Sequence, residues 1–323
     1  MKKNSLSFLI WTAVLCVIPF VISSEYSRHL CINALIYSML AQGLNICLGY
    51  CGQMSLGQAG FYAIGGYIFA ILTTRLGVFW WGAAIFAVVV TALVSFLLAV
   101  ISMRSRGSAF IIISILFARV VRLIELNWTD MTNGQAGILS IPRMTFFGNQ
   151  LTSKLAIYYY VLIFVVIIQF LTERIIDSKI GRGFIAVKQD ESLATSLGIS
   201  PYHYSIVAFT IGATVSAFAG CFHASFTQMV SPEMADFNNV MLYIIMMVVV
   251  GGRGTLWGPV IGAFIFTFLP EYLRFADMLR MPIFGMILIL LVLFVPDGLI
   301  PTFTKLTRKK KVTKEDNSTK EVQ

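Results

Sequence analysis

The sequence predicts an all-α polytopic membrane protein, a bundle of about ten transmembrane helices. Hydrophobic residues make up 58% of the 323 residues and charged residues only 12%. The mean hydropathy of +0.82 is far above that of soluble domains. Apolar runs of about 20 residues, the length that crosses a bilayer core, recur along the chain. We therefore predict one transmembrane domain, 1–303, followed by a basic tail, 304–323.

Ten apolar runs define the predicted spans. They are 6–23, 30–48, 58–74, 79–102, 109–126, 155–172, 204–223, 238–250, 258–273 and 282–299. The first run, which follows two lysines, also fits a signal peptide. It lacks a clear A-x-A cleavage site and leads directly into further spans, so we predict a retained first helix.

Basic residues predict the orientation. Ten spans place both termini on one side, and a basic, polar tail is typical of a cytoplasmic extension. Lys and Arg are more frequent in the loops of that side, which carry Arg104, Arg106 and Arg253. We predict two cytoplasmic termini. The net charge of +9 favours contact with anionic lipid and not with nucleic acid.

The cytoplasmic segment 173–204 is too long for a tight connection. Asp190 and Ser192 favour the start of a helix, and Gly198 followed by Pro201 favours its end. Apolar residues recur between them at helical spacing: Leu193, Ala194, Leu197 and Ile199. The sequence predicts a short helix whose apolar stripe lies on the membrane surface or in the groove of a soluble partner.

A glycine-rich stretch from Gly49 to Tyr67 interrupts the apolar pattern. Glycine permits close helix packing and non-helical backbone, which at membrane depth is tolerated only where protein or water surrounds it. The stretch also carries Gln53, Ser55 and Gln58. These polar side chains either contact a polar solute on a translocation path or tie helices together.

A second glycine cluster lies in 251–264. The spacing of Gly251 and Gly254 repeats a spacing in the first stretch. By the predicted orientation, both clusters lie on the same side of the membrane. Two similar breaks in corresponding places favour two related halves, a plan that transporters often have.

The fifth span carries three charged residues, and a charge inside the membrane is costly and usually functional. Arg122 and Glu125 are three residues apart and can pair on one helix face. Arg119 then needs a carboxylate, a carbonyl or water, unless its side chain extends to the outer interface. We predict an outer gate formed by Arg119 and residues of the outer loop: Thr132, Asn133, Gly134 and Gly137.

No motif in the sequence performs chemistry by itself. There is no P-loop, His29, His203 and His223 are scattered, and the five cysteines show no zinc-type spacing. We predict no catalytic residue, no metal site and no cofactor in this chain. An ion-coupled secondary transporter would depend on Glu125 as its one well-placed acid, and a membrane enzyme would lack convergent groups.

Several motifs together resemble permeases of the branched-chain amino acid ABC importer family. GRGFIAVKQDESLATSLGIS resembles the cytoplasmic loop that forms the coupling helix of these permeases. SLGQAGFYAIGGY and GGRGTLWGPVIGAF resemble the early and late signatures of the family, and SPEMADF and LPEYLR agree with it. The resemblance covers roughly residues 30–300 in the same order. The extra first span favours the LivM-like branch over the LivH-like branch.

The resemblance implies two sets of site residues. The ATPase-coupling set is Gly181, Arg182, Glu191, Leu193, Ala194, Leu197 and Gly198. The set on a translocation path or at helix contacts is Gly52, Gln53, Ser55, Gly57, Gln58, Gly60, Phe61, Gly251, Gly252, Gly254, Thr255 and Gly258. The chain departs from the family where Leu193 replaces a small residue, where Arg119 replaces an acid and where TNGQAG replaces the usual Thr-Gly-Gly.

The resemblance also implies partners and a location. A permease of this kind lies in a bacterial inner membrane beside a second related permease, two cytoplasmic ATPases and an extracytoplasmic solute-binding protein. ATP hydrolysis is then expected in the partners, and the chain itself is not an enzyme. The expected solute is a small amino acid of the branched-chain type, with urea and short amides as the alternative within the class.

Overall fold

The computed structural model describes residues 2–21, 24–105, 107–146, 149–273, 283, 285–286, 293 and 298–302, and this part is mostly α-helical. The helices are α1 (Lys2–Val21), α2 (Glu25–Leu44), α3 (Gln58–Thr74), α4 (Trp80–Ser102), α5 (Ser108–Asn127), α6 (Thr129–Thr132), α7 (Lys154–Asp177), α8 (Lys179–Gln189), α9 (Glu191–Ser196), α10 (Pro201–Thr227), α11 (Leu242–Gly251) and α12 (Gly258–Tyr272). π-Helical turns at Asn45–Tyr50 and Phe237–Met241 follow α2 and precede α11. Short 3₁₀ turns lie at Gly134–Ala136 and Pro232–Ala235.

Helices occupy the first nine predicted spans. Four helical segments are long and apolar enough to cross a membrane: Glu25–Tyr50, Trp80–Ser102, Lys154–Asp177 and Pro201–Thr227. Shorter apolar helices lie at Ile10–Pro19 and Phe237–Gly251. Most of the tenth predicted span, 282–299, lies outside the described residues, as do Arg106, Arg274 of the LPEYLR motif and the tail 304–323. The count of ten therefore stays a prediction.

The centre of the bundle lies where α10 packs against α2, α3 and α4. Small residues let these helices approach closely. A Cβ atom on Gly65 of α3 would overlap the backbone of Ala217 in α10, and one on Gly220 of α10 would overlap the carbonyl of Tyr62 in α3. Larger side chains cannot occupy these crossings without moving a helix.

Glycines with positive φ end the helices at both predicted breaks. Gly52 has a φ of 79°, and the chain stays non-helical until α3 begins at Gln58. Gly252 and Gly254, with φ values of 125° and 73°, separate α11 from α12. Residues with a Cβ rarely adopt such angles. The prediction that the backbone leaves helical geometry at the two glycine clusters is confirmed.

The connection between α5 and α7 is more ordered than the predicted loop 127–154. After α6 it forms strand β1 (Ile138–Leu139) and the pair β2 (Thr145–Phe146) and β3 (Asn149–Gln150). Strand β1 pairs antiparallel with β4 (Met229–Val230), which follows α10. This pairing fixes the connection to the end of α10.

Candidate functional site

The helices α8 and α9, together called the α8–α9 segment below, connect α7 to α10. The Ser178 hydroxyl accepts hydrogen bonds from the first turn of α8. Asp190 Oδ1 accepts from the amides of Ser192 and Leu193 at 2.7 and 2.9 Å and so caps α9. Gly198, with a φ of 79°, follows the helix end. The predicted short helix, α9, is confirmed. The sequence analysis missed α8, although Ser178 is a typical N-cap residue at its start.

The α8–α9 segment has a buried side and an exposed apolar side. Phe184, Val187 and Ala194 are buried against the ends of the bundle helices. The side chains of Leu193 and Leu197 are 61% and 71% exposed. Exposed leucines on a helix that is anchored on its other side are typical of a surface that another protein covers.

Lys188 of α8 reaches the first helix break. Its Nζ atom donates a hydrogen bond to the carbonyl oxygen of Gly49 at 2.5 Å. The backbone of Gly52 is so close that an added Cβ would lie 3.3 Å from the Cα of Lys188. Burial and then the neighbouring charge of Arg253 lower the pKa of Lys188. The sequence analysis did not include Lys188 among the site residues.

Glu191, the first residue of α9, is also bonded to the first break. The Nε2 atom of Gln53 donates to Glu191 Oε1 at 3.0 Å. Gln53 is therefore not inside the bundle, because it lies in the non-helical stretch that faces the α8–α9 segment. Two predicted residues from different sets, one on the path and one in ATPase coupling, are direct partners.

The two helix breaks touch each other through Asn45. Its Nδ2 atom donates to the carbonyl oxygen of Thr255 at 2.9 Å, and its Oδ1 atom accepts from the amide of Gly254 at 2.9 Å. A Cβ on Gly254 would lie 2.7 Å from the Gly49 carbonyl oxygen. The sequence analysis did not include Asn45 among the site residues. It lies within a predicted span, and its isolated amide side chain was the one signal that could have indicated a role.

A second cluster of charges lies on α5. Arg122 Nη1 is 2.5 Å from Asp236 Oδ1, and Arg119 Nη1 is 3.6 Å from the same oxygen. Glu125 is 4% exposed, and neither of its carboxylate oxygens accepts a hydrogen bond from a described residue. The predicted pair of Arg122 with Glu125 is therefore wrong. The distant Asp236 is the partner, because the 3₁₀ turn Pro232–Ala235 packs beside α5.

The family profile described as branched-chain amino acid transport system / permease component matches residues 29–295. The chain belongs to this family. The high-affinity branched-chain amino acid transport system permease proteins LivM of Salmonella typhimurium and Escherichia coli K12 are each 31% identical to it, over 93% and 91% of this chain and 75% and 74% of their own lengths. The LivH permease protein of Salmonella typhimurium is 22% identical over 71% of this chain and 79% of its own length. No solved structure matches this chain significantly.

These relatives are permease proteins of transport systems, so the chain is a membrane transport permease and not an enzyme. Family membership agrees with the four apolar helices of spanning length. The chain is similar to both LivM and LivH. These are two different permease proteins that are named for the same kind of transport system.

Most of the predicted path residues of the permease lie between helices. Gln58 Oε1 accepts from the Ser216 hydroxyl at 2.9 Å, and Ser55 Oγ accepts from the Gly57 amide at 3.3 Å. A Cβ on Gly60 would lie 3.1 Å from the Cα of Ala118 in α5. Further residues of this set lie at similar helix contacts: the Phe61 ring packs at a tilt against Phe117 and edge to face against Phe209, and Gly251 contacts Gly258.

The remaining predicted residues fall into two places. Thr255 Oγ1 donates to the Gly252 carbonyl oxygen at 2.7 Å and accepts from the Gly258 amide, which begins α12. Thr132 Oγ1 donates to the carbonyl oxygen of Glu125 at 2.6 Å and accepts from the Gly134 amide. Asn133 adopts a φ of 59°, and Gly137 packs against the Val230 carbonyl.

The last two residues of the coupling set lie on α8. Gly181 contacts the backbone of Ile176 so closely that no side chain fits there. Arg182 Nη1 donates to the Asp177 carbonyl oxygen at 3.0 Å. In the part of the chain that the structure describes, no three His, Cys, Asp or Glu side chains are grouped to hold a metal ion.

Proposed function

We propose that the permease is the membrane-spanning subunit of an ATP-driven importer that moves a small amino acid of the branched-chain type into a bacterial cell. The α8–α9 segment carries this proposal. Its exposed side offers Leu193 and Leu197 to a partner, and its other side is bonded to the first helix break through Lys188 and Glu191. The α8–α9 segment can therefore contact a partner on one side and transmit the partner's movement to the helix bundle on the other.

In this proposal the partner on the exposed side is a cytoplasmic ATPase. Two such ATPases would serve this chain and a second, related permease, as the similarity to both LivM and LivH supports. The ATP site belongs to the partners, because the sequence has no P-loop. The membrane is the bacterial inner membrane, with both termini and the α8–α9 segment on the cytoplasmic side.

The contacts inside the segment suggest how closure of the ATPases reaches the bundle. Displacement of α9 moves Glu191 together with Gln53, and displacement of α8 moves Lys188 together with Gly49. Asn45 passes the movement to the second break through Gly254. The helices beyond the breaks then move as rigid bodies, which changes access to the path from one side of the membrane to the other.

The solute is proposed from the family. An extracytoplasmic binding protein would deliver the amino acid, so the permease needs only weak affinity of its own. Urea or a short amide is the alternative solute. An ion-coupled secondary transporter is the alternative mechanism, and the feature that favours it is the buried Glu125 carboxylate, which accepts no hydrogen bond from a described residue.

Co-purification tests the importer proposal. The tagged permease should bring down a second permease and an ATPase. Leu193→Asp and Leu197→Asp should lose the ATPase alone, because each buries a charge in the interface. Ser196→Asp adds the same charge to α9 without removing an apolar side chain, and this variant should keep the ATPase. Uptake that follows an ion gradient and ignores ATP would contradict the proposal.

A further inference from the structure

An open cleft lies between the end of α10 and the connection that leads from α5 to α7. Its volume is about 450 Å³. One cation lies among its lining residues, and no lining residue is acidic. The lining residues are Ser140, Ile141, Pro142, Arg143, Gln150 and Gln228. The cleft therefore suits a group that carries a negative charge.

The cleft lies at the opposite end of the bundle from the α8–α9 segment. That segment follows the Asp177 end of α7 and precedes the Pro201 end of α10. The cleft residues within 140–150 precede the other end of α7, and Gln228 follows the other end of α10. Both helices are long and apolar enough to cross a membrane, with lengths of about 36 and 40 Å. In the proposed orientation, the cleft therefore faces the extracytoplasmic side.

Gln228 positions Arg143 in the cleft and leaves most of its donors open. Arg143 Nε donates to Gln228 Oε1 at 3.4 Å, and Gln228 Nε2 donates to the carbonyl oxygen of Ile141 at 3.4 Å. The Nη atoms of Arg143 donate to no described residue, and the side chain is exposed. The guanidinium can therefore present two parallel donors to a carboxylate.

The backbone around the cleft is fixed in unusual conformations. Ser140 and Gln228 have φ values of 60° and 57°, and they are two of the three non-glycine residues with positive φ in the described part of the chain. Such conformations cost free energy and are concentrated at functional sites. The pairing of β1 with β4 and a hydrogen bond of 2.9 Å from the Ser225 hydroxyl to the Pro142 carbonyl oxygen join the two sides of the cleft. The cleft is therefore preorganised.

Exposed apolar side chains adjoin the cleft. Leu139 of β1 and Met229 of β4 are direct cross-strand partners, and they are 57% and 41% exposed. An arginine beside exposed apolar side chains is typical of a contact between proteins. A pocket for a small solute encloses most of its ligand, whereas this cleft is open and its Arg143 is exposed. The structure therefore favours a protein partner over a free solute.

We propose that this cleft binds an acidic side chain of the extracytoplasmic solute-binding protein, a proposal that rests on the importer function above. The carboxylate accepts two parallel hydrogen bonds from the Arg143 guanidinium. The Ser140 hydroxyl and the Gln150 amide offer further donors, and Leu139 and Met229 contact apolar surface beside the acid. Because the cleft lies at one end of α10 and the α8–α9 segment at the other, the binding protein and the ATPases then act on the two ends of one helix.

Direct binding tests the cleft. The permease, the second permease and the ATPases are placed together in lipid nanodiscs, and the solute-loaded binding protein of the same system is titrated in. Arg143→Gln should weaken this binding about tenfold, because a charge-assisted contact is lost. Arg143→Lys should weaken it less, because lysine keeps the charge without the two parallel donors. Arg75→Gln is the matched control, because Arg75 is exposed at the same end of the bundle, near Met131, and this variant should bind normally.

Charge exchange identifies the carboxylate. Arg143→Glu places a negative charge in the cleft and should weaken binding more than Arg143→Gln does. Each exposed Asp and Glu of the binding protein is then replaced by Lys in turn. One of these variants should restore binding to the Arg143→Glu permease and should bind the unaltered permease poorly. Restoration by none of them would contradict the pairing of Arg143 with a carboxylate of the binding protein.

Cysteine accessibility separates a protein partner from the free solute. Gln150→Cys, at an exposed position of the cleft, should react with a charged methanethiosulfonate reagent in the nanodiscs. The unaltered chain, whose cysteines are buried or half-buried, gives the background. The binding protein should slow the reaction, and millimolar L-leucine alone should not. Protection by leucine alone would overturn the proposal in favour of a solute subsite.

Three further results separate the remaining explanations. Equal binding by Arg143→Gln and the unaltered permease, with normal ATP-dependent leucine uptake by the unaltered complex, would refute the cleft and leave the importer function intact. Loss of the second permease from the purified Arg143→Gln complex would assign the cleft to a contact between permeases. If the unaltered complex takes up no leucine with ATP, the importer function itself fails, and the proposed role of the cleft fails with it.

Discussion

Lys188 and Gly49 are 139 positions apart in sequence and share a hydrogen bond of 2.5 Å between the Lys188 Nζ atom and the Gly49 carbonyl oxygen. Gly49 lies in the last turn of the π-helix that ends the α2 span. The ammonium thus meets the C-terminal end of a helix, where a positive charge is favourable. Because the same carbonyl lies beside Gly254, this bond joins the α8–α9 segment to both helix breaks.

Replacing Lys188 should uncouple ATP hydrolysis from transport. Lys188→Met keeps much of the side-chain volume but loses the charged donor, so movement of α8 is transmitted poorly to Gly49. We expect the number of ATP molecules hydrolysed per solute transported to rise about tenfold, measured in proteoliposomes. Lys179→Met, at the exposed start of α8, is the matched control. Equal ratios in the two variants would contradict this role.

Coupling should fall at alkaline pH. Burial and the Arg253 charge lower the pKa of Lys188, so this lysine loses its proton at a lower pH than an exposed lysine. Arg253→Gln removes the second cause and raises the pKa of Lys188. The alkaline limit of coupled transport should therefore shift to higher pH in this variant. The check is to measure uptake and ATP hydrolysis across a pH series in both proteins. The same alkaline limit in Arg253→Gln and in the unaltered protein would show that Lys188 is not the titrating group.

The contact between Gln53 and Glu191 should tolerate exchange of its two groups. Gln53→Glu places two carboxylates against each other and should weaken retention of the ATPase on co-purification. Adding Glu191→Gln restores a donor and an acceptor, because the new amide at position 191 can donate to the carboxylate at position 53. We expect a coupling free energy of about 1 kcal/mol in the double-mutant cycle. Additive losses would show that the two side chains act separately.

Adding one methyl group at the crossing of α3 and α10 should destabilise the bundle. Gly65→Ala places a Cβ against the Ala217 backbone, which cannot yield as a flexible side chain would. The cost expected from overpacking is about 1–3 kcal/mol, seen as a lower unfolding temperature of the purified permease. Gly77→Asn is the control, because no atom lies within 4 Å of its added Cβ and asparagine tolerates its φ of 61°. An equal loss in both variants would contradict the packing argument.

Local patterns predicted local structure well. The α9 helix, its Asp190 cap and its end at Gly198 follow from capping and glycine preferences, which act over a few residues. The positions of the two breaks follow from glycine for the same reason. The pairing of Arg122 with Glu125 was wrong because helical spacing shows which residues share a face, but not whether a third residue offers a better partner.

The sequence by itself determined that this protein is a helical membrane permease of the branched-chain amino acid transport family, because composition and motif order are properties of the chain. Only the tertiary structure decided that the two glycine breaks meet through Asn45, that Lys188 binds Gly49 and that Asp236 lies between two arginines. The partners in these contacts are more than a hundred positions apart. Their meeting depends on how whole helices pack, and the spacing of residues within one segment does not encode it.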